Sequence, residues 1–155
     1  MTIEITDYRP RDAALTRDLF QAAIRGTASR DYTPEQVAVW SRVDDLGPWN
    51  DNRMKSHCLV ARIGDEPAGF TEIDGDAYLN MMFVDPRFAG SGVATALLQA
   101  AISLVDPTVT VTAHASLTAR QFFEARGFRV VAEHHPVIRG VQLTNFSVSL
   151  APREK

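Results

Sequence analysis

The sequence predicts a mixed α/β fold (α+β mixed sheet) in the order βααβββαβαββ, and three observations predict it. Short runs with two-residue alternation are separated by stretches whose apolar residues recur at helical spacing. A two-residue hairpin signal, Asp74-Gly75, joins two central strand candidates. The composition is that of a globular chain, with 155 residues of which 45% are hydrophobic and 23% charged, and this argues against disorder or a coiled coil. A chain of this length buries roughly 68–70% of its unfolded surface and needs no metal or disulfide staple. No repeat, low-complexity tract or linker interrupts residues 1–155, so one domain is expected.

Thr2 to Asp7 alternates as a strand with Ile3 and Ile5 on one face. Pro10 to Ile24 reads as a helix, with Leu15, Leu19, Phe20, Ala23 and Ile24 in one stripe and Gly26 as its stop. Pro34 suits the first turn of a shorter helix through Trp40. Asp44 to Asn52 reads as turn-rich. Three strands follow: His57 to Ile63, Ala68 to Ile73 and Ala77 to Val84, the last stopped by Asp85-Pro86. Gly92 to Val105 is helical, with Val93, Leu97, Leu98 and Ala101 on its apolar face. Thr108 to Thr112 is a β-branched strand. Ser116 to Arg126 is the next helix, opened by a Thr118-x-x-Gln121 capping box and ended by Gly127. Phe128 to Ala132 and Val141 to Leu150 complete the strands. In the latter, Val141 and Leu143 are out of phase with Phe146 and Val148, which predicts a bulge near Asn145.

Charge and cysteine usage narrow the function classes. Sixteen Lys and Arg against 19 Asp and Glu give a net charge of −3, with no basic stripe to track a phosphate backbone, so nucleic acid is not the expected partner. The single cysteine, Cys58, excludes an intrachain disulfide and fits a reducing compartment. One cysteine and four scattered histidines provide no zinc spacing, and no metal is expected. Met1 to Pro10 has no signal-peptide core, and no apolar run is long enough to cross a bilayer. A cytoplasmic protein with no membrane partner is expected.

The sharpest feature is the segment Val84-Asp85-Pro86-Arg87-Phe88-Ala89-Gly90-Ser91-Gly92-Val93-Ala94-Thr95. A strand ends, a short loop with two glycines follows, and a helix begins. Successive amides there can point into one concavity, and the helix start adds partial positive charge, so an anion such as a diphosphate fits without a lysine. By itself a Gly-x-Gly at a helix start is equally a plain turn. No Gly-Lys-Ser/Thr follows, and Thr95 stands where a dinucleotide fingerprint needs its third small residue.

The segment resembles the acetyl-CoA motif of the GNAT N-acetyltransferase superfamily, Gln/Arg-x-x-Gly-x-Gly/Ala, on Ala89-Gly90-Ser91-Gly92-Val93-Ala94, after a Val-x-Pro strand end at Val84-Asp85-Pro86. The family's Asn-x-x-Ala-x-x-Phe-Tyr-x-x-x-Gly-Phe helix is similar to Ser116 through Phe128, with Ala119, Phe122, Gly127 and Phe128 in place. Asp31-Tyr32-Thr33-Pro34-Glu35-Gln36, Ala115-Ser116-Leu117-Thr118-Ala119 and Leu143-Thr144-Asn145-Phe146 look like a small bacterial branch called YafP-like. The resemblance implies a GNAT-like, mostly antiparallel central sheet with a splayed parallel pair and flanking helices. It implies acetyl transfer from acetyl-CoA, as co-substrate, to a primary amine of a small molecule or peptide by direct attack in a ternary complex. Dimers are common among such proteins, so a homodimer is a candidate assembly.

The resemblance also implies site residues. Gly90, Ser91, Gly92, Val93, Ala94 and Thr95 would hold the phosphates. Met82, Phe83 and Val84 would face the thioester, with one amide as oxyanion donor. Ser116, Phe122 and Phe123 would line the pantetheine arm, with Phe122 as core and Phe123 as wall. Three departures from the pattern stand out: Ala89 for Gln or Arg, Ser116 for Asn, and Phe123 for the tyrosine that protonates the departing thiolate. The last departure keeps open a non-catalytic acyl-CoA-binding module as the alternative. Glu72 and His114 are the candidate bases, read equally as a solvated strand carboxylate and a loop histidine. Tyr32, Tyr78 and Asn80 are donors or packing residues. Trp40 and Trp49 are an acceptor wall or packing. His134-His135 reads as a structural loop pair, and Cys58 as an inert buried thiol.

Overall fold

The computed structural model describes residues 2–153. Strand β1 (Ile3–Asp7) leads through a single 3-10 turn at Pro10–Asp12 into α1 (Ala13–Gly26), and α2 (Pro34–Trp40) and α3 (Leu46–Lys55) follow. The hairpin strands β2 (His57–Ile63), β3 (Glu66–Ile73) and β4 (Tyr78–Val84) come next, then α4 (Val93–Ile102), β5 (Val111–Ser116) and α5 (Arg120–Ala125). The chain ends with β6 (Arg129–His134), the small pair β7 (Val137–Ile138) and β8 (Val141–Gln142), and β9 (Asn145–Leu150). One sheet runs β1-β2-β3-β4-β5-β9-β6, and every neighbouring pair is antiparallel except β4 with β5. The expected mostly antiparallel sheet with one parallel pair is present.

Two apolar layers hold it. On one face Leu19, Phe20 and Ile24 of α1 and Trp49 of α3 pack on Cys58, Val60 and Phe70. On the other, Val93 and Leu97 of α4 cover Leu59, Ala61 and Ala68, while Leu98 and Ala101 meet Leu79, Val111 and Ala113. Leu97 is fully buried, and shortening such a leucine to alanine costs about 2–5 kcal/mol. Among the described residues no helix is long and apolar enough to cross a membrane.

Several local readings change. The segment expected to be turn-rich contains α3: Asp45 caps it by accepting from the Gly47 amide at 2.9 Å. Pro48 falls in its first turn, where no N–H is required. Asp74-Gly75 does not form a two-residue turn. The Asp74 carboxylate accepts from the amides of Asp76 and Tyr78, and Ala77 takes the positive φ of 59°. The strand expected at Thr108–Thr112 starts at Val111, because Asp106 holds the Thr108 amide and hydroxyl in a turn. The Thr118-x-x-Gln121 box does not form; Ser116 Oγ instead accepts from the Ala119 amide at 3.0 Å. The phase change read as a bulge near Asn145 is a break between β8 and β9, where Leu143 turns into the core.

Candidate functional site

Among the described residues the β4–β5 ladder consists of two pairs, Tyr78 with Thr112 and Leu79 with Ala113. On the other edge of β4, Met81 pairs with Glu72 and Leu79 with Ile73, so Asn80 is an extra residue. Such a bulge bends its strand and raises its twist, carrying β4 away from β5. A cleft of about 480 Å³ opens beyond the last pair. Met82, Phe83 and Val84 line it from β4. Gly90, Gly92, Val93, Ala94 and Thr95 line it from the loop and first turn of α4. Ser116, Phe122 and Phe123 face it from β5 and α5, and Trp40 and Thr27 close it on the α1–α2 side.

The loop has the conformation its glycines permit. Gly90 and Gly92 have φ of 78° and 90°, values at which a side chain costs about 1–2 kcal/mol. Among the described residues, none accepts a hydrogen bond from the amides of Gly90, Gly92, Val93, Ala94 or Thr95, whereas Ala96 donates to Gly92 O. Ser91 differs from its neighbours and does not line the cleft: its amide (3.2 Å) and its hydroxyl both donate to Phe88 O. Gly26 belongs to α1 rather than stopping it. A Cβ there would lie 2.6 Å from Pro86 Cγ, so its absence lets α1 seat the loop.

Arg126 also lines the cleft, a position to which sequence reasoning gave no role. Its guanidinium donates to Thr95 Oγ1 at 2.7 Å and to Phe122 O at 3.0 Å, and lies 3.9 Å from the Phe122 ring centroid. The signal available in sequence was its place four residues after Phe122, which puts the two on one helical face. The expected split of the phenylalanine pair into core and wall does not hold, because both rings border the cleft. Phe123 is 2% exposed and packs edge-on against Phe128, while Phe122 is the half-buried wall beneath Arg126.

The two candidate bases do not meet. Glu72 is 1% exposed and faces α3, where Arg53 Nε lies 2.5 Å from Oε1 and the guanidinium stacks on Trp49 at 4.3 Å. It does not line the cleft, and a sealed carboxylate held by an arginine has no path to an incoming amine. His114 does not line the cleft either: it is the first residue of β5 past the last parallel pair, exposed on the face opposite α4 in an open depression shared with Tyr78 and His134, and its Nδ1 is hydrogen-bonded to Tyr78 Oη. Burial, and then the nearby His134, lower its pKa below the ordinary 6.5.

The remaining candidates are structural. Tyr32 donates to Thr144 O at 2.6 Å and accepts from the Leu117 amide, tying the approach to α2 to the paired ends of β5 and β9 beside Ser116. Trp49 donates to Thr16 in the core, whereas Trp40 reaches the cleft. Burial pushes the Cys58 thiol up to about 12, which leaves it inert. Among the described residues no group of three or more His, Cys, Asp or Glu is placed to hold a metal ion.

Residues 28–150 match the family model described as an acetyltransferase (GNAT) domain. The chain belongs to the GNAT acetyltransferase family. This GNAT protein is 36% identical over 151 residues to YafP of Escherichia coli K12, described as an uncharacterized N-acetyltransferase, with 97% of each chain covered. That likeness agrees with the branch its short segments resemble. Its fold matches a GCN5-related N-acetyltransferase from Rhodopseudomonas palustris at a TM-score of 0.94 and 28% identity, covering 97% of this chain and 96% of the other. It also matches YncA of Salmonella typhimurium, solved with its cofactor acetyl-CoA, at a TM-score of 0.70 and 18% identity, covering 100% and 96%.

Proposed function

We propose that this GNAT protein moves an acetyl group from acetyl-CoA to a primary amine of a small molecule or peptide, by direct attack in a ternary complex. The observation that carries it is the run of unpartnered amides at the start of α4, placed beside the β4–β5 opening. A diphosphate satisfies donors that the helix itself cannot. Arg126 supplies at the same mouth the cation that Ala89 lacks. The β4 edge from Met82 to Val84 offers a main-chain donor to the thioester oxygen. The reading places the protein in the cytoplasm, where acetyl-CoA is available.

The residues then divide the work. An alkylammonium near 10.4 costs about 4–5 kcal/mol to deprotonate at neutral pH, which calls for a base. His114 takes that part, since its lowered pKa keeps the imidazole neutral and accepting. Glu72 is assigned to the folding of α3 onto the sheet. Phe123 has no proton to give, and a thiolate of pKa about 8.5 leaves without one.

The test is incubation with acetyl-CoA and a panel of small amines and short peptides, reading free thiol. Release with at least one amine is expected. Protection by CoA against thermal unfolding with no release from any amine would identify the acyl-CoA-binding module instead.

A further inference from the structure

We propose that Tyr78, His114, Ser147 and His134 form a proton relay that carries the proton of the acceptor amine from the β4–β5 opening to solvent; this rests on the transferase reading above. The four residues stand on four neighbouring strands, β4, β5, β9 and β6, in one row on the face opposite α4. Register puts them there: His114 pairs directly with Ser147 across β5 and β9, and His134 pairs with Asn145, two residues before Ser147 on β9. Tyr78 pairs with Thr112, so it lies diagonal to His114 where the parallel ladder ends. The Tyr78 and His114 rings meet at 5.5 Å, and the His114 and His134 rings at 5.4 Å.

The relay runs the hydrogen bonds in one direction. Tyr78 Oη is hydrogen-bonded to His114 Nδ1; with tyrosine as the relay's donor, a neutral His114 carries its proton on Nε2. That atom lies 3.4 Å from Ser147 Oγ, the long link, of the kind that tightens when substrate binds. Ser147 Oγ lies 2.6 Å from His134 Nε2; as the relay's donor to that nitrogen it leaves the His134 proton on Nδ1. His134 is exposed, and it lines one open depression together with Tyr78, His114, His135, Pro136 and Asn145. His135 stands outside the chain, bound to Glu133 at 2.9 Å and Thr144 at 3.2 Å. The titratable groups facing His114 are therefore Tyr78 and His134, and burial, then Asp74, raise the Tyr78 pKa and hold its hydroxyl protonated. Exposed hydrogen bonds of this kind contribute little to holding β9 in a sheet already paired on both edges.

The step balances. The ammonium form of the amine sheds one proton to Tyr78 Oη as the Tyr78 proton moves to His114 Nδ1. The free nitrogen then bonds to the thioester carbon, the carbon–sulfur bond breaks with its electron pair leaving on sulfur, and the nitrogen's second proton passes to water. His114 passes its Nε2 proton to Ser147 Oγ while Ser147 passes its own to His134 Nε2. His134 releases its Nδ1 proton to water, so the proton that freed the amine has moved through the relay to solvent.

The experiment measures thiol release against pH in low and high imidazole buffer, for wild type, Ser147→Ala, Ser147→Thr and His134→Gln. Ser147→Ala is expected to be about tenfold slower in low buffer, to recover as imidazole rises, and to keep wild-type protection by CoA. Ser147→Thr keeps the hydroxyl and the rate. His134→Gln, at an exposed position that does not threaten folding, shows the same buffer rescue. Its acidic limb moves to higher pH, because the neighbouring imidazole that adds to burial in lowering His114 is gone. A folded Ser147→Ala or His134→Gln at wild-type rate in low buffer, or slow without rescue, overturns the relay alone. Wild-type protein that releases no thiol with any amine overturns the transferase reading and the relay with it.

Discussion

The Arg53 guanidinium and the Glu72 carboxylate meet in the core between α3 and the sheet, 4% and 1% exposed, with Arg53 Nη1 lacking a partner among the described residues. Removing one member of such a pair leaves a buried charge uncompensated and costs about 3–5 kcal/mol. Glu72→Gln is accordingly expected to lower the urea midpoint substantially while leaving the affinity of the folded protein for CoA unchanged. Retained stability with lost turnover would return Glu72 to the chemistry.

Gly92→Glu puts a side chain at φ of 90° and a negative charge among unpartnered amides. The conformational strain is about 1–2 kcal/mol, which a folded domain survives. Protection by CoA against thermal unfolding is expected to disappear. Undiminished protection would mean that the phosphates bind elsewhere.

Arg126→Met keeps the apolar stem over Phe122 and removes the charge. CoA affinity is expected to fall about tenfold at low salt, with a smaller loss at high salt, as for an exposed cation facing an anion. Calorimetric titration with CoA at two ionic strengths checks it, and a salt-independent loss would point to packing rather than charge.

The lowered pKa of His114 fixes the sign of the pH response. A base held below its ordinary 6.5 is mostly neutral at pH 7, so thiol release should fall as the pH drops, with the midpoint of that decline below 6.5. His114→Ala should be slower on the plateau and should lose that acidic limb. A limb that persists in His114→Ala would assign the proton to another group.

Legibility in the sequence followed the range of the interactions involved. His57–Ile63 and Pro34–Trp40 were bounded from sequence as the structure has them, because alternation, Pro34 and Gly64 act within a few residues. The run from Val84 to Thr95 was legible for the same reason: two glycines at a strand-to-helix junction define a loop wherever it occurs. Leu46–Lys55 was hidden because Gly47 and Pro48 read as breakers until Asp45 caps the turn that tolerates them. The last strand was misread because the phase change at Leu143 has two solutions, a bulge or a break, and only burial of Leu143 chooses.

Periodicity, punctuation and motif thus determined the order of elements apart from α3 and the short β7–β8 pair, the glycine loop and the family, since each depends on spacing along the chain. Which carboxylate and which phenylalanine are buried, and which strands set Tyr78, His114, Ser147 and His134 side by side, depend on pairing across the sheet. β9 inserts between β5 and β6, bringing His134 near His114 from 20 positions away. No local preference encodes that neighbourhood, because it arises only when the whole sheet closes its hydrogen bonds.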